Sequence, residues 1–147
     1  MFEEAEKILG HTFKDRALLR RAFTHKSYAM EKNTESNERL AFMGDALLDF
    51  LSGAVLAALY PKASPGELTE RRKGVVSNES IKNFIVRSGL DKYLLIGKTA
   101  LHSGGVSDSM RADLCEALFA AMHQDGCRMR SLQAKLKRFF HLEADGK

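Results

Sequence analysis

The sequence is poor in cysteine, with Cys115 and Cys127 as its two thiols in 147 residues. Two thiols make no disulfide framework, and free buried thiols in a reducing cytoplasm are the expected state. Proline is equally scarce: Pro61 and Pro65 fall in one short stretch, where they stop the helix that precedes them. No apolar run reaches transmembrane length, so no membrane is expected as a partner. The amino terminus, Met1-Phe2-Glu3-Glu4-Ala5-Glu6, is too acidic and polar for a signal peptide. Strand-like alternation, repeats and low-complexity tracts are missing too. The expected class is therefore all-α, and the length suits one domain with a substantial core.

What is present is uneven in charge. The chain carries 23 basic and 19 acidic residues, a net charge of +4. Cys127 to Phe140 holds five bases and no acid, whereas Asn33 to Asp49 holds four acids and one Arg. An acidic locus in a basic chain is the layout of a protein that grips phosphates with bases and holds a metal ion with acids.

That acidic locus is Asn37-Glu38-Arg39-Leu40-Ala41-Phe42-Met43-Gly44-Asp45, and it reads as the start of a long helix from about Glu38 to Tyr60. At about 100° per residue, the steps from Glu38 to Asp45 total roughly 700°, so both carboxylates project along one line. Leu40, Met43, Leu47 and Phe50 recur near that line and are expected to form the packed side. Charges at such a border need a positive partner, either a structural Arg or Lys or a metal ion. Gly44 in mid-helix costs about 1 kcal/mol against Ala, which a close helix approach would explain.

A second acidic pair, Asp113 and Glu116, is three residues apart on a helix expected from Ser109 to about Gln124. If the two helices pack together, four carboxylates converge. Hard oxygen ligands without His or Cys suit Mg²⁺, with Mn²⁺ as a substitute, and such a site assists phosphodiester hydrolysis. Elsewhere the pattern predicts helices over 3–10, from Phe13 to Met30, over Glu67–Arg87 with a break near Ser77-Asn78, and from about Arg128 to Leu142. Leu90–Ile96 reads as a short helix or an extended piece, and residues 98–109 read as a loop. Lys26, the run Arg71-Arg72-Lys73, and Arg111 are candidate phosphate contacts. For Arg111 an ion pair with a nearby acid is the alternative. His25 is expected to fix a local hydrogen-bond network.

The stretch Asn37-Glu38-Arg39-Leu40-x-Phe42-x-Gly44-Asp45-Ala46 resembles the signature of the ribonuclease III family. The likeness extends from about Leu9 to Gly126. It includes Ala22-Phe23-Thr24-His25-Lys26-Ser27-Tyr28, Gly66-Glu67-Leu68-Thr69, Leu94-Leu95-Ile96-Gly97, Ser103-Gly104-Gly105, and Ala112-Asp113-x-x-Glu116-Ala117-Leu118. The resemblance implies a dimeric, helical endonuclease domain over 1–147; many members also carry a C-terminal double-stranded-RNA-binding domain, and none is expected in this chain. It implies Mg²⁺-dependent cleavage of double-stranded RNA to 5′-phosphate and 3′-hydroxyl ends, in rRNA or mRNA processing in the cytoplasm. By position, Glu38, Asp45, Asp113 and Glu116 match the family's metal-binding acids, and Phe42 matches an aromatic inserted into the partner subunit. The family often has Glu where Ala41 stands, an acid where Pro65 stands, and bases where Val106 and Ser107 stand. A non-catalytic RNA-binding or scaffold domain that kept the fold is the alternative these departures raise.

Overall fold

The computed structural model describes residues 1–145, so the last two positions of the expected domain lie outside the described residues. Nine α-helices occur among them: α1 (Glu3–Leu9), α2 (Arg16–Ala22), α3 (Lys26–Lys32), α4 (Glu38–Leu59), α5 (Pro65–Val75), α6 (Asn78–Ser88), α7 (Lys98–His102), α8 (Asp108–Gln124) and α9 (Met129–Phe139). A 3₁₀ turn spans Leu90–Tyr93. No strand occurs among the described residues beyond an isolated bridge between Thr24 and Leu95. The all-α expectation holds.

Short polar side chains decide where helices start. The Asp15 carboxylate accepts from Leu18 N at 3.1 Å, and the hydroxyls of Ser64, Ser77 and Ser107 accept from Glu67 N, Ser80 N and Met110 N, each at 3.2 Å. Gly10 and Gly89 close α1 and α6 in left-handed backbone, φ 66° and 76°.

Three expected boundaries move. The run from Phe13 to Met30 is two helices, because Phe23-Thr24-His25 leaves the helical path to pair with Leu95: His25 N donates to Leu95 O at 3.0 Å and Leu95 N to Phe23 O at 2.8 Å. The Glu67–Arg87 helix divides at Ser77, as its cap-like residues foretold, and its first part begins at Pro65, which suits a first helical turn. The expected loop over 98–109 contains α7, with Leu101 N donating to Gly97 O at 3.0 Å.

The core is built on α4 and α8. Helix α8 buries eight residues, including the continuous run Ala117 to Met122, so it is enclosed on nearly every side. Burying one such Leu or Met contributes about 1.5–3 kcal/mol. The buried side of α4 differs from expectation: it is Leu40, Ala41, Gly44, Leu48, Leu51, Ser52, Val55 and Leu56, while Met43 and Phe50 are exposed. Ala41, Gly44 and Ser52 sit among the Leu and Val of that face, and Gly44 lets α4 and α8 approach. A Cβ built on Gly44 would overlap the backbone carbonyl of Glu116. Ser52 satisfies its buried hydroxyl on Leu48 O at 2.6 Å.

One more expectation is corrected. Helix α4 is long and apolar enough, by length and composition, to cross a membrane. It passes that test because it is the core helix, apolar on more than one side, and it packs against α5, α8 and α9.

Candidate active site

The amino end of α4 is tied down before its first acid. Asn37 is buried; its backbone N donates to Thr24 O at 2.8 Å and its side chain to Ala22 O at 3.1 Å. The capping role goes to Ser36, whose Oγ accepts from Glu38 N at 3.2 Å and donates to Glu38 Oε1 at 3.0 Å. Nearby, His25 Nδ1 accepts from Ser27 N at 3.2 Å and meets Ser27 Oγ at 2.8 Å, while Ser27 Oγ accepts from Gly97 N at 2.8 Å. This is the network expected of His25. Burial, with the charge of Lys26, lowers the pKa of its ring.

Because Gly44 lies on the backbone of Glu116, the next residue, Asp45, arrives beside the Glu116 side chain. The outcome is an open cavity of about 410 Å³ lined by Glu38, Ala41, Phe42, Asp45, Asp113 and Glu116. All four acids singled out in the sequence therefore face one space. None of them forms an ion pair with Lys, Arg or His among the described residues. Burial, then the neighbouring Asp45 and Asp113, pushes Glu116 up to about 8. Burial also raises Asp113, with Glu38 adding to it, against the opposing charges of His25 and Lys26. Burial and mutual repulsion favour the protonated forms of Asp113 and Glu116, and a bound cation would oppose that shift.

The donor set fits a hard divalent cation, since every lining polar group is a carboxylate. As the side chains stand, no three His, Cys, Asp or Glu among the described residues are grouped closely enough to hold an ion. Ala41, 7% exposed, contributes a methyl group where a further donor would face the cavity.

The candidate phosphate contacts separate. Lys26 is exposed and shares a neighbouring cavity with Glu38. Arg72 and Lys73 line a second cavity, also about 410 Å³, that shares Asp45 and Glu116 with the first. Arg71 turns the other way: its guanidinium stacks 3.8 Å from the Tyr60 ring centroid and pairs with Asp145 at 3.1 Å. Arg111 takes the ion-pair alternative, bonding Asp91 at 2.9 Å and Asp108 at 2.8 Å. Phe42 stands at the cavity rim, 82% exposed, on the same outer side as exposed Met43. Thr69 and Asn78, which line the second cavity, went unrecognised in the sequence. The signal was Ser77-Asn78, a helix start, whose free amides favour anions.

The profile of the family described as ribonuclease-III-like matches residues 15–141. The chain is similar to ribonuclease 3 of Bdellovibrio bacteriovorus, at 40% identity over 124 residues, covering 82% of this chain and 53% of that protein. It is similar to ribonuclease 3 of Nitratiruptor sp. at 37% identity over 137 residues, covering 91% and 59%. The chain thus spans about half the length of the curated relatives it matches. Among solved structures, the nuclease domain of ribonuclease III from Campylobacter jejuni superposes with a TM-score of 0.86 at 30% identity, covering 96% of each chain. Dicer from Pichia stipitis follows with a TM-score of 0.64 at 27% identity, covering 88% of this chain and 55% of that one.

Proposed function

This chain belongs to the ribonuclease III-like family, and we propose that it is an endonuclease domain that hydrolyses phosphodiester bonds in double-stranded RNA. The products carry 5′-phosphate and 3′-hydroxyl ends, the cofactor is Mg²⁺ or Mn²⁺, and the role is in rRNA or mRNA processing in the cytoplasm. The observation that carries this reading is the single cavity faced by Glu38, Asp45, Asp113 and Glu116. A hard divalent cation bound by these acids supplies charge neutralisation at the phosphate and lowers the pKa of water. The chain's own groups do the positioning. Ser36 and Asn37 set the direction of Glu38, Gly44 sets the approach of Asp45 to Glu116, and Lys26 supplies positive charge on the Glu38 side.

The active form is a homodimer. Phe42, Met43 and Phe50 leave an exposed apolar surface along α4, beside the acid cavity, suited to a second copy. The Campylobacter jejuni relative is itself described with flexibility in a region involved in dimer formation.

Duplex RNA with and without Mg²⁺ tests the activity. The wild-type chain should cut only with the ion, and Glu116→Gln should cut at least ~100-fold more slowly, since loss of one ligand weakens both ion binding and charge stabilisation. Equal product from the two chains would overturn the reading. A second reading, a non-catalytic RNA-binding domain, draws on Ala41, which leaves the cavity a methyl group where the family often has Glu. It requires salt-dependent duplex binding that is indifferent to Mg²⁺.

A further inference from the structure

The cavity next to the four acids has no role in the reading so far. It lies between α4, α5, α6 and α8 and opens onto the acid cavity through Asp45 and Glu116. Its floor is apolar, formed by Leu48, Ile81 and Ala112, and its rim carries Arg72, Lys73, Thr69 and Asn78. The bases at this rim hold their partners loosely. Arg72 Nε stands 3.5 Å from Asp49 Oδ1, with the Arg72 side chain 40% and the Asp49 side chain 63% exposed, and Lys73 meets Glu70 at 2.8 Å in open solvent. Exposed pairs of this kind exchange readily for a stronger anion. The amino end of α6 adds to the positive field, because Asn78 is its first residue and the Ser77 cap is spent on Ser80 N, so the amides of Asn78 and Glu79 have no intrahelical partner. Asp49 follows Asp45 by one turn of α4, about 6 Å along the axis. An anion held by Arg72 is therefore distinct from one held at the four acids.

We propose that this cavity is a phosphate subsite for the RNA strand, in which Arg72, Lys73 and the amino end of α6 grip a phosphodiester neighbouring the one presented to the four acids. The proposal deepens the nuclease reading and rests on it. In the unbound chain the Asp49 carboxylate occupies the place that the phosphate takes on Arg72, and the apolar floor receives the adjoining sugar. Arg71, one residue away, has no part in it, because its guanidinium lies on Tyr60.

The test uses the full chain carrying Glu116→Gln, so that a short RNA duplex stays intact while its binding is followed by fluorescence anisotropy over a range of salt. Adding Arg72→Ala and Lys73→Ala should weaken binding about tenfold or more and reduce the slope of log affinity against log salt by about two, one for each lost phosphate contact. Arg71→Ala should leave both within about twofold, and the charge-keeping pair Arg72→Lys with Lys73→Arg should retain the slope. An unchanged slope for the double Ala variant, or an equal loss from Arg71→Ala, overturns the subsite. Wild-type cleavage measured in parallel separates the two readings. If the wild type cuts duplex RNA and the slope ignores Arg72 and Lys73, the subsite alone falls. If the wild type neither cuts nor binds duplex RNA, both fall.

Discussion

Helices α4 and α8 each bring two carboxylates to the same cavity, on opposite terms. Helix α8 is enclosed by the core, so Asp113 and Glu116 are half-buried and both are pushed toward the protonated form. Helix α4 buries only one side, and its Glu38 and Asp45 remain exposed. The same chemical group is thus poised to hold a proton on one helix and exposed to water on the other. The difference teaches where the electrostatic strain of the site resides. It sits on α8, where a cation would relieve it most, while α4 supplies ligands from the solvent side and keeps an outer face for other contacts.

The strongest way to break this comparison is to force the helices apart. Gly44→Ala places a methyl group against the carbonyl of Glu116, which is backbone and gives way little. Destabilisation of about 2–3 kcal/mol is expected, in the range of overpacked cores, together with loss of the acid constellation. Thermal melting and duplex cleavage both read it; an unshifted melting temperature would show that the helices separate without strain.

A smaller effect sharpens the comparison through pH. Glu116 is raised to about 8 from 4.5, and Asp113 is raised as well. A raised acid favours the protonated fold, so its stabilisation is complete below the ordinary carboxylate pKa and is lost as pH climbs toward about 8. In the absence of divalent ions the melting temperature should fall between about pH 5 and pH 9. Mg²⁺ should raise it most at the alkaline end, where the carboxylates are charged. In Glu116→Gln much of both trends should vanish, and a Mg²⁺ effect that is equal at every pH would contradict the account.

The smallest effect falls on the outer face of α4. Phe42 is 82% exposed in the single chain, so Phe42→Ala should change the stability of the isolated fold by no more than about 0.5 kcal/mol, any larger fall in melting temperature coming from weaker dimerisation. Sedimentation at micromolar concentration should nonetheless show more monomer than wild type. An unchanged dimer would remove Phe42 from the interface.

Much of the architecture is legible in single residues. Asp15, Ser77 and the glycines at 10 and 89 mark helix ends because capping is a local hydrogen-bond and backbone requirement. Gly44 announced a close approach, and the helix against it proved to be the one carrying Glu116. Other features escaped for identifiable reasons. The line Leu40–Met43–Leu47–Phe50 looked like the packed side because α4 is apolar over most of its circumference, and periodicity alone does not choose among apolar faces. The pairing of Thr24 with Leu95 depends on a segment distant in sequence, which is why the run from Phe13 to Met30 read as one helix. Arg71, Arg72 and Lys73 formed a single basic run on paper. Successive residues on a helix point about 100° apart, so Arg71 joins Tyr60 while Arg72 and Lys73 face the groove.

By itself the sequence determined an all-helical chain, the ends of most of its helices, the four acids placed at helical spacing, and the family to which the chain belongs. The tertiary structure alone decided that the four acids share one cavity, that two of them are raised by burial, and that the basic run divides between two surfaces. The reason is that a local pattern sets the angle of a side chain about its own helix axis. Which angle meets another helix, and how much water remains there, is decided only when α4 closes on α8.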